Sequence, residues 1–348
     1  MIRAVLGAYA RSFVLPSIFV AGSVSLHAQD EFPGHQRTQE IQLRKGWNAV
    51  YLEVDPTNDA PATVFSGVPV DKVATLFKNP SNQEFVTDPG IDLGKAQGWG
   101  VWYAPELPEA FLKSLDAIDG NRAYLIHAKS DCQWRPTGRV TGDAVTWQPD
   151  AFNFIGFPVA AAGGPTFAQF FAGSKAHKNQ TIYRLANGRW KQVLQPTAET
   201  MRSGEAFWIY CKGSSDYQGP LRVQTTGLGG LVLGQGPVNL TLRNEAPHPL
   251  TPTIQHVPGD VSPLPLSILI KTYGDPNAPV KTVPVNMAAA AWQQAVPTLE
   301  IAGALEIPFQ CRTGELLRPL QGSLLKITTD LGTETWVPVS GRRDDLGD

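Results

Sequence analysis

The feature that most constrains this chain is an internal duplication, because a repeated unit must bury its apolar residues in the same way twice. The first copy begins Leu43-Arg-Lys-Gly-Trp-Asn-Ala-Val-Tyr-Leu-Glu-Val54 and continues through Pro61-Ala-Thr-Val-Phe65 and Val73-Ala-Thr-Leu-Phe77. It then reaches Leu115-Asp-Ala-Ile-Asp-Gly-Asn-Arg-Ala-Tyr-Leu-Ile126 and ends near Gly138-Arg-Val140. The second begins Ala151-Phe-Asn-Phe-Ile-Gly-Phe-Pro-Val159 and continues through Pro165-Thr-Phe-Ala-Gln-Phe-Phe171 and Ile182-Tyr-Arg-Leu185. Its closing run is Met201-Arg-Ser-Gly-Glu-Ala-Phe-Trp-Ile209, and it ends near Gly219-Pro-Leu-Arg-Val223. Asn48 and Asn153 lie 105 residues apart but Gly120 and Gly204 only 84, so the first copy holds 21 residues more. The polar stretch over about 79–97 supplies them as an inserted surface loop, and loops of that length in folded domains are disproportionately functional.

Each copy alternates short strand-like runs with one short helix. Ala49-Val-Tyr-Leu-Glu-Val54 is β-branched and aromatic, as a strand requires. Pro61 and Pro165 suit the first turn of a helix, where the missing N–H is not needed, and Val64, Phe65, Phe167, Phe170 and Phe171 give those helices an apolar face. Gly120 and Gly204 mark the turn before a strong strand. The expected result is two similar β-rich modules, 40–146 and 147–225. Gly-Trp-Asn opening a strand, the pair Trp99 and Trp102, and Gly-x-x-x-Tyr/Trp-Ile closing the unit together resemble repeats of large secreted or cell-surface bacterial proteins. The resemblance covers roughly residues 40–225 and names no activity. The second copy departs from it, with Phe152 in place of tryptophan.

The last third reads differently. Gly227-Leu-Gly-Gly-Leu-Val-Leu-Gly-Gln-Gly-Pro237 lacks the G-x-G-x-x-G spacing of a dinucleotide site and no helix follows it, so it is a linker plus first strand. Short runs follow at Val238–Asn244, Thr251–His256, Leu266–Lys271, Lys281–Val285, Thr298–Ile301, Leu305–Gln310, Leu324–Thr328 and Thr335–Val339. That spacing predicts a β-sandwich over 228–343. Its Asn-Leu-Thr-Leu-Arg-Asn strand and final Leu-Lys-Ile-Thr…Thr-Trp-Val-Pro-Val hairpin resemble immunoglobulin-like domains of exported bacterial proteins. The expected fold class is therefore mainly β: two similar modules with short helices, then an immunoglobulin-like sandwich.

Residues 1–28 carry Arg3 and Arg11, then a mostly apolar stretch to Leu26, with Leu26 and Ala28 before the expected cut. This is the pattern of a cleavable signal peptide, and Pro16 leaves no uninterrupted apolar run long enough for a membrane anchor. Cleavage would take the formal charge from -2 to -4. With a pI near 6.3 the chain lacks the basic balance a nucleic-acid binder needs. No second apolar span follows, so the expected location is secreted, periplasmic or cell-surface. Cys132, Cys211 and Cys311 are odd in number and widely spaced, which fits buried thiols, with a Cys132–Cys211 bridge as the alternative.

No catalytic signature is present: there is no G-x-S-x-G elbow, no P-loop lysine motif and no H-E-x-x-H helix. The histidines are scattered, and no Cys/His metal spacing occurs, so neither a metal nor a cofactor is expected. Asp55-Pro-Thr-Asn-Asp59 and Asp88-Pro-Gly-Ile-Asp92 could hold calcium but read as ordinary turn chemistry. The remaining signal is aromatic. Seven of the nine tryptophans lie in the duplicated region, and Trp99, Trp102 and Tyr103 adjoin the inserted loop, which makes them the ligand-binding candidates. The expected function is that of an exported, non-enzymatic binding or structural protein of the surface or adhesion type, its partner an extracellular protein or a glycan. The alternatives are a carbohydrate-binding module using exposed tryptophans, and an enzyme whose site forms between modules.

Overall fold

The computed structural model describes residues 34–77, 88–142, 144–227, 229–258, 263–270, 281–285 and 296–343; the expected signal peptide lies outside them. The first copy contains β1 (Gln36–Thr38), β2 (Ile41–Leu43), β3 (Gly46–Leu52), β4 (Val54–Pro56), α1 (Pro61–Val64), β5 (Val70–Leu76), β6 (Trp99–Tyr103), β7 (Arg122–Ala128), β8 (Cys132–Trp134) and β9 (Thr137–Val140). The second contains β10 (Ala151–Gly156), α2 (Phe167–Phe170), β11 (Ile182–Ala186), β12 (Arg189–Gln192) and β13 (Ala206–Cys211). Their main sheets have the same strand order, β3-β7-β5-β6 and β10-β13-β11-β12, each antiparallel. Three smaller pairings, β1-β9-β4 and β2-β8, complete the first copy.

The registers fix which residues correspond. Asn48 pairs Ile126 as Asn153 pairs Ile209, Val73 pairs Ile126 as Ile182 pairs Ile209, and Leu76 pairs Trp99 as Leu185 pairs Trp190. Asn48 and Asn153 also do the same local work. The Asn48 side chain accepts from Arg44 N and donates to Arg44 O and Gly46 O, while that of Asn153 accepts from Gln148 N and donates to Gln148 O and Ala151 O. An asparagine at this point satisfies the backbone groups of the turn that launches the strand.

The same registers correct two expectations. The partner of Gly204 is Asn121, and both sit at positive φ, 71° and 51°. Gly120 serves instead as a close-approach residue, because a Cβ there would lie 2.7 Å from Asp55 N. The extra length of the first copy is also divided. Between β5 and β6 it has twenty residues, 78–97, where the second copy has the two-residue turn Asn187-Gly188 with positive φ at both positions, the hairpin turn that matches strand twist. A further eight arise between β6 and β7. Helix α1 starts at Pro61 as expected, but Pro165 precedes the helix; Thr166 caps α2 in a capping box with Gln169.

The remaining strands form a two-sheet β-sandwich. They are β14 (Leu221–Thr225), β15 (Leu231–Leu233), β16 (Val238–Asn244), β17 (Pro252–Pro258), β18 (Leu266–Ile270), β19 (Lys281–Pro284), β20 (Ala304–Cys311), β21 (Leu320–Thr329) and β22 (Glu334–Arg342). One sheet runs β14-β16-β20-β18-β19 and the other β15-β22-β21-β17. Strand β14, assigned above to the end of the second copy, pairs with β16 and belongs to the sandwich. Thr298–Ile301 is not a strand: Leu299 makes a single bridge to Leu250 and the chain then turns through Ala302 at φ 58°. Leu240, Leu242, Ile254, Phe309, Leu325 and Val339 lie between the two sheets. The sandwich and the modules belong to one compact unit, so the boundaries mark changes of sheet within a continuous body.

Three of the described histidines are buried in this body, His35 and, most deeply, His177 and His256. His177 packs against Trp147 with ring centroids 3.8 Å apart and meets Ser174 Oγ at 2.7 Å through Nδ1, whereas neither nitrogen of His256 on β17 has a hydrogen-bond partner. Burial holds both imidazoles down to about 4 from 6.5. The unfolded chain therefore binds more protons between those values, and stability is lost as pH falls through that window, by up to about 1.4 kcal/mol per pH unit for each ring. Urea unfolding midpoints should be lower at pH 5 than at pH 7.5. His256→Leu should keep or raise the midpoint at pH 7.5, because it removes an unsatisfied polar ring, and should flatten the pH dependence.

Candidate binding surface at the paired modules

The two module sheets pack face to face. Trp47, Ala49 and Tyr51 from β3, Ala123 and Leu125 from β7, and Trp99, Val101 and Tyr103 from β6 meet Phe154, Leu185, Trp190, Ala206 and neighbouring Trp208 of the second copy. Equivalent positions exchange size across the junction. Ala49 corresponds to Phe154, Leu125 to Trp208 and Tyr51 to Gly156, and a Cβ on Gly156 would lie 2.3 Å from the Cβ of Tyr51. The packing thus takes a bulky residue from one copy where the other offers a small one.

This arrangement places the three aromatic candidates. Trp99 is half-buried, 6.0 Å from Phe154 and 6.3 Å from Trp208 between ring centroids, and its register partner in the other copy is Trp190. Trp102 faces the other way into the core of the first module, where it is 6% exposed and stacks on Phe65 at 5.9 Å. Tyr103 is 7% exposed, with the Lys72 ammonium 5.8 Å above its ring and burial raising its hydroxyl pKa. Strand β6 is covered on both faces, so these residues form no open platform of rings. The uninterrupted apolar run Trp99-Gly-Val-Trp-Tyr103 was the available sign of such a strand.

Open space lies instead at the two ends of the junction. One groove, of about 770 Å³, runs between β3 and the β11–β12 hairpin and is floored by Trp47, Asn48 and Ala49. Its counterpart, of about 500 Å³, runs beside β10 and is lined by Phe152, Asn153, Phe154, Leu76, Phe77 and Arg122. Asn48 with Leu185 in one corresponds to Asn153 with Leu76 in the other, so the duplication builds the same groove twice. Their electrostatics differ. In the first, Arg184 is buried against Glu205 at 2.6 Å and Glu199 at 3.5 Å, whereas Lys45, Lys191 and Arg202 are exposed and have no acidic partner among the described residues. These cations come from the turn between β2 and β3, from β12 and from the segment before β13, and no local motif could have announced them.

A smaller cavity of about 180 Å³ lies where both modules meet the sandwich. Arg37 and Glu53 line it, their side chains in direct contact, and the Arg37 guanidinium lies 4.8 Å from the ring centroid of Trp336. Gln39 brackets the acid, donating to Glu53 Oε1 at 3.3 Å and accepting from Glu53 N at 2.9 Å. Burial pushes the Glu53 carboxyl up while the Arg37 charge pulls it down, and burial prevails. His35 ties the same region to β22, 3.0 Å from Val339 O.

The remaining reactive groups have structural settings. All three cysteines are free thiols, and burial pushes Cys211 and Cys311 up to about 11. Asp55 accepts from Gly120 N and Asp88 from Gly90 N, while Asp92 pairs with Lys95 at 2.9 Å, so the carboxylates weighed for calcium are engaged in turns and surface pairs. Among the described residues no three His, Cys, Asp or Glu side chains converge on a common point.

The sequence matches no protein-family profile and no curated protein. Among solved structures, the ASH/PapD-like domain of human CEP192 (PapD-like domain 7) is similar at 10% identity and a TM-score of 0.22, covering 37% of this chain and 87% of that one.

Two substitutions test this geometry. Gly156→Ala should cost about 1–3 kcal/mol by forcing Tyr51 away from the junction, read as a lowered unfolding midpoint with reduced near-ultraviolet dichroism from the tryptophan cluster. Arg37→Ala should cost about 3 kcal/mol by stranding a buried carboxyl, and Arg37→Ala combined with Glu53→Gln should recover part of that loss.

Proposed function

We propose that this chain is an exported, non-enzymatic binding protein of the surface or adhesion type, whose paired modules present a groove to an extracellular partner and whose sandwich serves as the spacer behind them. The observation that carries the reading is the groove beside β3. It is large enough for a ligand, open, and lined by exposed cations that the fold does not neutralise. Burial is the largest cause of the perturbation at His177, His256, Cys211 and Glu53, a pattern that needs no reaction to account for it. The burial of Trp102 and Tyr103 weighs against a sugar platform built on them.

The mature chain, residues 29–348, should be presented to a displayed library of peptides, to a glycan array and to a panel of hydrolase substrates. Retention of peptides without turnover of any substrate is the expected result. A glycan signal removed by Trp99→Ala would move the assignment to carbohydrate binding. Turnover abolished by one carboxylate substitution would make the protein an enzyme.

A further inference from the structure

We infer that the groove beside β3 takes an extended acidic polypeptide segment, laid along the edge of that strand; this deepens the binding reading and rests on it. Strand β3 is the edge of its sheet, with a ladder to β7 alone. The second copy covers its outer side only toward the C-terminal end, where Val50 bridges Glu205 and Tyr51 N donates to Gly204 O at 2.9 Å. In the N-terminal half, Trp47–Ala49 open onto the groove. An open strand edge recognises an extended chain through backbone hydrogen bonds, and the walls then select its side chains.

Charge selects acidic ones. Lys45, Lys191 and Arg202 stand around the opening without acidic partners among the described residues, in a chain whose formal charge is negative. The acids that line the groove, Glu199 and Glu205, share buried Arg184 and leave one negative charge against the three exposed cations, so the opening stays positive. The equivalent groove beside β10 provides an internal comparison. It has the same strand edge but one cation, Arg122, which Asp119 meets at 3.4 Å. The duplication supplies the groove, and only the β3 copy carries the positive field. A peptide fits better than an anionic polysaccharide because the one aromatic residue in the lining, Trp47, has its ring packed against the inter-sheet cluster and set edge-on to His127, leaving no platform for sugar stacking.

The test uses the mature chain and a fluorescein-labelled ten-residue peptide alternating Glu and Val, followed by fluorescence anisotropy at fixed low salt. The Lys-for-Glu peptide should bind about tenfold more weakly or worse. Lys191→Glu with Arg202→Glu should weaken the acidic peptide by at least about tenfold, while Lys178→Glu, remote from the groove, should change it less than about twofold. Two versions N-methylated at alternate residues report the backbone contact, since a strand edge pairs with one side of the peptide only. One version should lose binding and the other should keep it. Equal binding of the acidic and basic peptides, equal loss from the remote variant, or retention by both N-methylated forms would each overturn the assignment. So would tighter binding of polygalacturonate with the same dependence on Lys191 and Arg202. If uncharged peptides bind and the groove variants are silent, the groove assignment falls and the binding reading stands; if no peptide or glycan binds at all, both fall.

Discussion

The structure depends on one packing constraint, the face-to-face contact of two sheets that arose as copies of each other. Where a residue meets its own equivalent across the contact, two bulky side chains would clash and two small ones would leave a void. The chain solves this by unequal substitution at equivalent positions: Tyr51 stands over Gly156, and Phe154 and Trp208 fill where Ala49 and Leu125 leave room. With that face buried on both sides, each module becomes a closed body. The two matching grooves lie at the ends of that contact.

Most of the fold was legible in the sequence. Gly-Trp-Asn and its counterpart Phe-Asn located the opening strand of each main sheet, and the aligned runs Val73–Phe77 and Ile182–Leu185 fall in equivalent strands. In the sandwich, Val238–Asn244 is a strand end to end. The errors were local. Gly120 and Asn121 are adjacent, and only φ shows that the asparagine, not the glycine, takes the left-handed position that Gly204 takes in the other copy. The alternation in Thr298–Ile301 suggested a strand, but the chain turns at Ala302 after a single bridge.

The candidate surface was not legible. Trp99, Trp102 and Tyr103 drew attention as aromatic residues beside an insertion, yet period-two alternation sends Trp99 and Tyr103 to one buried face and Trp102 to the other. The groove depends on residues 146 and 157 positions apart, Lys45 with Lys191 and Arg202, which meet only because one copy docks on the other. Spacing rules read chemistry within one element, and this chemistry belongs to a contact between two.

The buried thiols have a further consequence. A thiol held at about 11 is thiolate in only about one molecule in ten thousand at neutral pH, and Cys211 and Cys311 are also shielded from reagent by the cores around them. Cys132 is partly accessible at the start of β8, with its thiol raised by burial and by Asp131. Toward an alkylating probe under native conditions, a chain with three cysteines therefore behaves as a chain with one. That gives a single attachment point on the first module, close to the β3 edge through the pairing of Cys132 with Leu43.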